Sequence, residues 1–146
     1  MVPSGFAKII LCSCFTLLSM LATSSSWHTS DSCMDLDPGE FYIRLQSVAL
    51  PVLIDTRSSD EFRKERIEGA ILAENREVLN IVCDTLDFDQ AIFLYCQDDY
   101  RSKEACKTLI NRGFKNVCYL RGGIVAWKLS VFEVDREKIR RKRARN

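Results

Sequence analysis

The residues best suited to chemistry stand together in one stretch, Tyr95-Cys96-Gln97-Asp98-Asp99-Tyr100-Arg101-Ser102. A cysteine becomes a nucleophile as its thiolate, so the question is what surrounds Cys96. It directly follows five apolar residues, Ala91 to Tyr95, and precedes a segment of helical periodicity. A cysteine at the exit of a strand and the entrance of a helix faces backbone N–H groups and the positive end of the helix dipole, both of which favour negative charge. Arg101 adds a formal charge at the rim. These features are expected to stabilise a thiolate, or the anion of an outer sulfur carried on it, by about 1.4 kcal/mol for each unit of pKa depression. Cys96 is thus the candidate nucleophile, Arg101 its charged partner, and Gln97, Asp98, Asp99, Tyr100 and Ser102 the cradle.

Such a loop needs a rigid frame, and the flanking pattern supplies one. Val52-Leu53-Ile54 is a short apolar run closed by Asp55, as in a buried strand. Gly69 to Leu72 turns into a second apolar segment, and Ala91 to Tyr95 and Val117 to Leu120 read as further strands. Between them lie helical signals. Asp37-Pro38 marks a helix start ahead of Phe41, Leu45 and Val48, and Pro51 stops it. Ser59 to Phe62 opens a short helix, and Glu77 to Cys83 a second. Ala105, Cys106, Leu109 and Ile110 line one helical face, with Gly113 as its stop. Gly122-Gly123 turns into a short helix through Trp127, a packing residue. Strands alternating with helices predict an α/β fold of three layers, with a mainly parallel central sheet flanked by helices.

From Val52 to Trp127 the chain resembles a rhodanese-like domain, with six motifs in the family's order. They are Asp55-Thr56-Arg57, Asp60-Glu61-Phe62, Ile67-Glu68-Gly69-Ala70, Tyr95-Cys96 with Arg101-Ser102, Gly113 to Val117, and Leu120-Arg121-Gly122-Gly123-Ile124 with Trp127. The resemblance implies a sulfurtransferase in which Cys96 takes sulfane sulfur from a donor, becomes a persulfide, and yields the outer sulfur to a thiol acceptor. It implies that Asp55 and Arg57 brace the sheet near the loop, and that neither a metal nor an organic cofactor is required. The spacing Cys-x4-Arg is one residue shorter than the Cys-x5-Arg of the related phosphatases, and suits one sulfur atom better than a tetrahedral phosphate. Asp98 and Asp99 depart from the small residue and glycine common in this loop. Two carboxylates oppose an anionic donor such as thiosulfate and favour a protein or low-molecular-weight persulfide. Asp99 would have to adopt left-handed backbone at some cost. Arg66 and Glu68 stand where the family often has histidine and proline, and read as neutral surface changes.

Composition limits the remaining functions. The chain has 146 residues, 47% hydrophobic and 28% charged, with formal net charge +1, the prior for one domain. Charge is unevenly spread: residues 31–134 hold 18 acids and 13 bases, whereas 135–146 hold seven bases and two acids. With basic character confined to that tail, specific nucleic-acid binding is not expected. The tail reads as disordered, with attraction to an anionic membrane surface as its functional reading. One histidine, His28, and no Cys-x-x-Cys argue against zinc. Lys8, the apolar run Ile9–Ala22 and Thr23 to Ser26 form a secretory signal pattern over 1–26, which places the protein outside the cytoplasm, in a periplasm or its equivalent. Leu11-Cys12-Ser13-Cys14 resembles a lipoprotein site, with a retained membrane anchor as the alternative. Residues 27–35 then read as a linker, 36–134 as the domain and 135–146 as the tail. Removal of Cys12 and Cys14 leaves five cysteines, an odd number that points to a free reactive thiol. Cys83, Cys106 and Cys118 are expected as small core residues, and Cys33 is left open. Two other functions stay in view: a rhodanese-fold binding or carrier module with negligible turnover, and a small phosphatase or arsenate reductase.

Overall fold

The most apolar stretches of the chain become the middle of a sheet. A computed structural model describes residues 33–136. The signal pattern over 1–26, the linker up to residue 32 and the tail beyond Arg136 lie outside the described residues. Five strands, β1 (Met34–Leu36), β2 (Val52–Asp55), β3 (Ile71–Leu72), β4 (Ala91–Tyr95) and β5 (Asn116–Leu120), form one sheet in the order β1-β5-β4-β2-β3. Every pairing is parallel. The helices are α1 (Pro38–Ser47), α2 (Ser59–Lys64), α3 (Arg76–Cys83), α4 (Tyr100–Asn111) and α5 (Gly123–Leu129).

Successive strand residues point to opposite faces, and a sheet covered on both sides buries both sets. Ile92 and Leu94 of β4 join Leu79, Cys106, Leu109 and Phe114 in one core. Phe93 and Tyr95 join Phe41, Leu120, Ile124 and Trp127 in the other. Helices α3 and α4 therefore cover one face and α1 and α5 the other, which gives the three layers expected from the alternation. Phe41 stands edge-on to both Phe93 and Trp127, at 5.3 and 6.1 Å between ring centres.

Local signals start the helices where the sequence places them. The Asp37 carboxylate accepts from the Glu40 N–H at 2.9 Å, with Pro38 in the first turn of α1. Ser58 and Glu61 form a reciprocal capping box at α2. Asn75 caps α3 by accepting from the Val78 N–H at 2.9 Å.

Four expectations change. Met34–Leu36, read as part of the linker, is an edge strand paired with Cys118 to Leu120 of β5; three residues are too few for an alternation pattern to register. Cys106, expected as a core thiol, is in a disulfide with Cys33, across a sequence separation of 73. Cys83 and Cys118 remain free and buried. Burial pushes both thiols up, Cys118 to about 12. Arg66 is not a neutral surface residue: it exchanges backbone hydrogen bonds with Asp135 and bonds its carboxylate at 2.7 Å. Asp135, read as the first residue of the tail, is thereby part of the folded body.

Candidate active site

The site lies beyond the carboxyl ends of β2 and β4, where open α/β sheets bind their ligands. Central strand β4 ends at Tyr95, and Cys96 follows it with no measurable exposure. The loop is pinned from below. The carbonyl of Cys96 accepts from the Ile124 N–H at 2.9 Å and that of Gln97 from the Val125 N–H at 3.4 Å. This contact explains the glycine pair. A Cβ added at Gly123, whose φ is +57°, would lie 2.5 Å from the Cys96 carbonyl oxygen. Sequence reading placed Gly122-Gly123 in a turn; that the turn must admit the Cys96 loop is visible only in three dimensions.

Around the sulfur the contacts are few. Cys96 Sγ accepts from the Asp99 N–H at 3.2 Å and lies 3.5 Å from Ser102 Oγ. The single hydroxyl proton of Ser102 has a better acceptor in the Asp99 carbonyl, at 2.9 Å. Asp98 Oδ1 stands 3.7 Å from Sγ, and itself accepts from the N–H groups of Asp99 and Tyr100 at 3.0 and 3.3 Å. The Tyr100 N–H, helped by that of Asp99 and by the Cys96 thiol and opposed by slight desolvation, holds the Asp98 carboxyl below the ordinary range. Asp99 has φ +136°, the left-handed region that favours glycine, and its Oδ2 accepts from the Gly122 N–H at 3.2 Å. The two loop aspartates thus have separate tasks: Asp98 turns onto its own loop and Asp99 reaches across to the β5–α5 turn.

Arg101 was expected as the charged partner of Cys96 at the rim. In the structure its guanidinium bonds both oxygens of Glu61, each at 3.1 Å. The same carboxylate accepts from the N–H and hydroxyl of Ser58 at 3.0 and 2.9 Å. The Arg101 bonds, aided by Ser58 and opposed by burial, lower Glu61 to about 2. Glu61 is the site residue that sequence reading missed. Its signal was the Ser-x-x-Glu capping spacing, which announces a helix start and says nothing of an arginine forty residues away.

Asp55 and Arg57 form the brace beneath. Arg57 Nη2 lies 2.7 Å from Asp55 Oδ2, with side chains 2% and 0% exposed. Nε and the backbone N–H of Arg57 also donate to this carboxylate, at 3.0 and 2.9 Å to Oδ1, and Nη2 donates to the Glu65 carbonyl at 2.6 Å. Thr56 ties the brace to the loop, its N–H donating to the Tyr95 carbonyl at 2.9 Å. The Tyr95 hydroxyl accepts from the Ile67 N–H at 3.1 Å. Burial first, and then the Asp55 charge, push the Tyr95 phenol up, so it stays neutral. Tyr100 is 70% exposed beside a cavity of about 210 Å³ between α3 and α4, whose wall includes Arg101, Arg76 and Glu104. Among the described residues no cluster of three or more His, Cys, Asp or Glu is arranged to hold a metal ion, and no helix is long and apolar enough to cross a membrane.

A parallel three-layer sheet with a cysteine loop at the end of its central strand defines a class of α/β domain, and comparison with known proteins gives the family. The chain belongs to the rhodanese-like domain family, which it matches over residues 37–130. It is 29% identical over 93 residues to a sulfurtransferase of Allochromatium vinosum, spanning 64% of this chain and 86% of that one. It is 37% identical over 81 residues to a tRNA uridine(34) hydroxylase of Nitrobacter hamburgensis, across 52% of this chain but only 32% of the relative. Its fold superposes on a crystal structure of thiosulfate sulfurtransferase from Pseudomonas aeruginosa with a TM-score of 0.64 at 25% identity, covering 72% of this chain and 20% of that chain.

Proposed function

We propose that this protein is a sulfurtransferase that carries sulfane sulfur as a persulfide on Cys96. The observation that carries the reading is the position of Cys96 at the end of β4, with its sulfur held by the Asp99 N–H inside a Cys-x4-Arg loop. The relatives named as sulfurtransferases support the same chemistry. In the first half-reaction the Cys96 thiolate attacks the outer sulfur of a donor, and the donor's sulfur bond breaks. In the second, an acceptor thiolate takes that sulfur and restores Cys96. Arg101, oriented by Glu61, supplies positive charge at the rim, and Asp55–Arg57 keeps the sheet end rigid. The reaction as drawn draws on no metal or organic cofactor. The Cys33–Cys106 disulfide and the signal pattern together favour an exported protein working in an oxidising compartment. There the acceptor would be a thiol kept reduced by a partner.

A second reading, a carrier or binding module with negligible turnover, is favoured by one observation: Cys96 is fully buried beneath a loop in which Asp98 already engages the N–H groups of Asp99 and Tyr100. Intact-mass spectrometry of the full chain after exposure to thiosulfate or to cysteine persulfide separates the two. The sulfurtransferase reading expects a gain of one sulfur atom that reductant removes and Cys96→Ser abolishes. Absence of loading from both donors in folded protein would leave the carrier reading.

A further inference from the structure

The contacts around Cys96 contain an anion the protein supplies itself. Asp98 is exposed, while the cysteine beside it is buried. Its Oδ1 accepts from two successive N–H groups of the loop, those of Asp99 and Tyr100, and stands 3.7 Å from the sulfur. The Tyr100 N–H opens helix α4 and that of Asp99 precedes it, so both belong to the set of loop donors open to an incoming anion. The Asp99 N–H is shared between Asp98 Oδ1 and Cys96 Sγ. The other charges of the loop are committed: Asp99 to the Gly122 N–H, Arg101 to Glu61. A carboxylate whose ionised form is favoured by those N–H groups therefore guards the approach to the sulfur.

We infer that Asp98 selects the sulfur donor by occupying two of the loop's N–H groups with its own carboxylate, so that the site takes sulfur from organic persulfides in preference to thiosulfate. This rests on sulfur transfer through Cys96. Thiosulfate is a compact dianion, and it leaves a dianion, sulfite, behind. Both must pass Asp98 and compete with its carboxylate for the N–H groups of Asp99 and Tyr100. An organic persulfide, R–S–SH, places no sulfonate beside the sulfur it gives up. The Cys96 thiolate attacks its outer sulfur, the new Sγ–S bond forms as the donor S–S bond breaks, and the electron pair leaves on R–S⁻. The proton lost by Cys96 ends on that leaving sulfur. Cys96–SH and R–S–SH thus become Cys96–S–SH and R–SH with no outside oxidant or reductant.

The test compares initial loading rates from thiosulfate and from cysteine persulfide in the full chain, for wild type, Asp98→Ser and Asp98→Asn. The ratio of thiosulfate to persulfide rate is expected to rise at least tenfold in Asp98→Ser. In Asp98→Asn, which keeps the acceptor oxygen but loses the charge, it is expected to rise less. A general loss of loop structure would lower both rates and leave their ratio unmoved, so the ratio reads selection and not integrity. Added salt is a second readout. Because screening weakens repulsion, the wild-type thiosulfate rate should climb with ionic strength, and more steeply than that of Asp98→Asn. A ratio within twofold of wild type in both variants, or a wild-type thiosulfate rate that falls with salt, would overturn the inference. Wild-type loading from cysteine persulfide, absent in Cys96→Ser, keeps sulfur transfer standing even then. No loading in any variant from either donor would remove sulfur transfer and this inference with it.

Discussion

Two arginine–carboxylate pairs flank the Cys96 loop, and their chemistry is nearly the same. Asp55–Arg57 is made within three residues at the end of β2 and is almost fully buried. Glu61–Arg101 joins the start of α2 to the start of α4, with side chains 31% and 41% exposed. The first pair has no water to fall back on: removing either partner leaves the other charged and unsolvated. The second is partly exposed, so water can reach its members and rehydrate them at little cost. The same bond therefore holds the fold together in one place and positions a side chain in the other. The family resemblance led us to expect bracing from Asp55 and Arg57; the contrast with Glu61–Arg101 comes from burial.

The comparison can be broken most forcefully at the buried pair. Asp55→Ala should destabilise the fold by about 3–5 kcal/mol, read from the urea midpoint, because Arg57 is left as an uncompensated buried charge. A loss below about 1 kcal/mol would show that water or Glu65 takes over, and that burial is not what separates the pairs. A covalent tie offers a scale between them. Cys33→Ser opens the disulfide that fixes the β1 end of the chain to α4, and should cost about 2–4 kcal/mol by freeing the unfolded chain. Loss of the same stability on adding reductant to wild type, and no further loss in Cys33→Ser, would confirm the source.

At the exposed pair the expected sign of the experiment reverses: stability hardly moves and function does. Glu61→Gln should change stability by less than about 1 kcal/mol, yet slow sulfur loading of Cys96 severalfold, because Arg101 loses its orientation. An equal fall on Arg101→Ala, with no added effect in the double variant, would place both residues in one unit. The pH dependence is the smallest effect. Glu61 titrates at about 2 in the fold, below the ordinary carboxylate value of 4.5. A lowered carboxyl stabilises the fold fully above its unfolded value, and that contribution disappears as pH falls through the folded one. The stabilities of wild type and Glu61→Gln should therefore differ most above pH 4.5 and converge as pH approaches 2. A constant difference across that window would mean that Glu61 acts through Ser58 and α2 alone.

The same division of labour describes what could be read from the chain. Strands β2, β4 and β5 and the starts of α1 and α2 follow from apolar runs and capping residues only a few positions apart, because those signals act locally. The Cys96 loop was legible for the same reason, being a contiguous strand-to-helix junction. Met34–Leu36 was not, since a three-residue edge strand exists only because β5 lies beside it. Cys106 carries an ordinary helical-core spacing, and nothing in that spacing shows that Cys33 will reach it. Arg66 looked incidental until Asp135, 69 residues later, folded back upon it.

Sequence alone pointed to the class of fold, the candidate reacting sulfur and the two carboxylates beside it, because residue type, periodicity and loop length are properties of neighbours along the chain. Which carboxylate faces the sulfur was decided in space. Asp98 and Asp99 are adjacent and chemically identical, yet the left-handed backbone at Asp99 sends its side chain to Gly122 and leaves Asp98 beside Cys96. That outcome depends on where the β5–α5 turn sits once the sheet has closed.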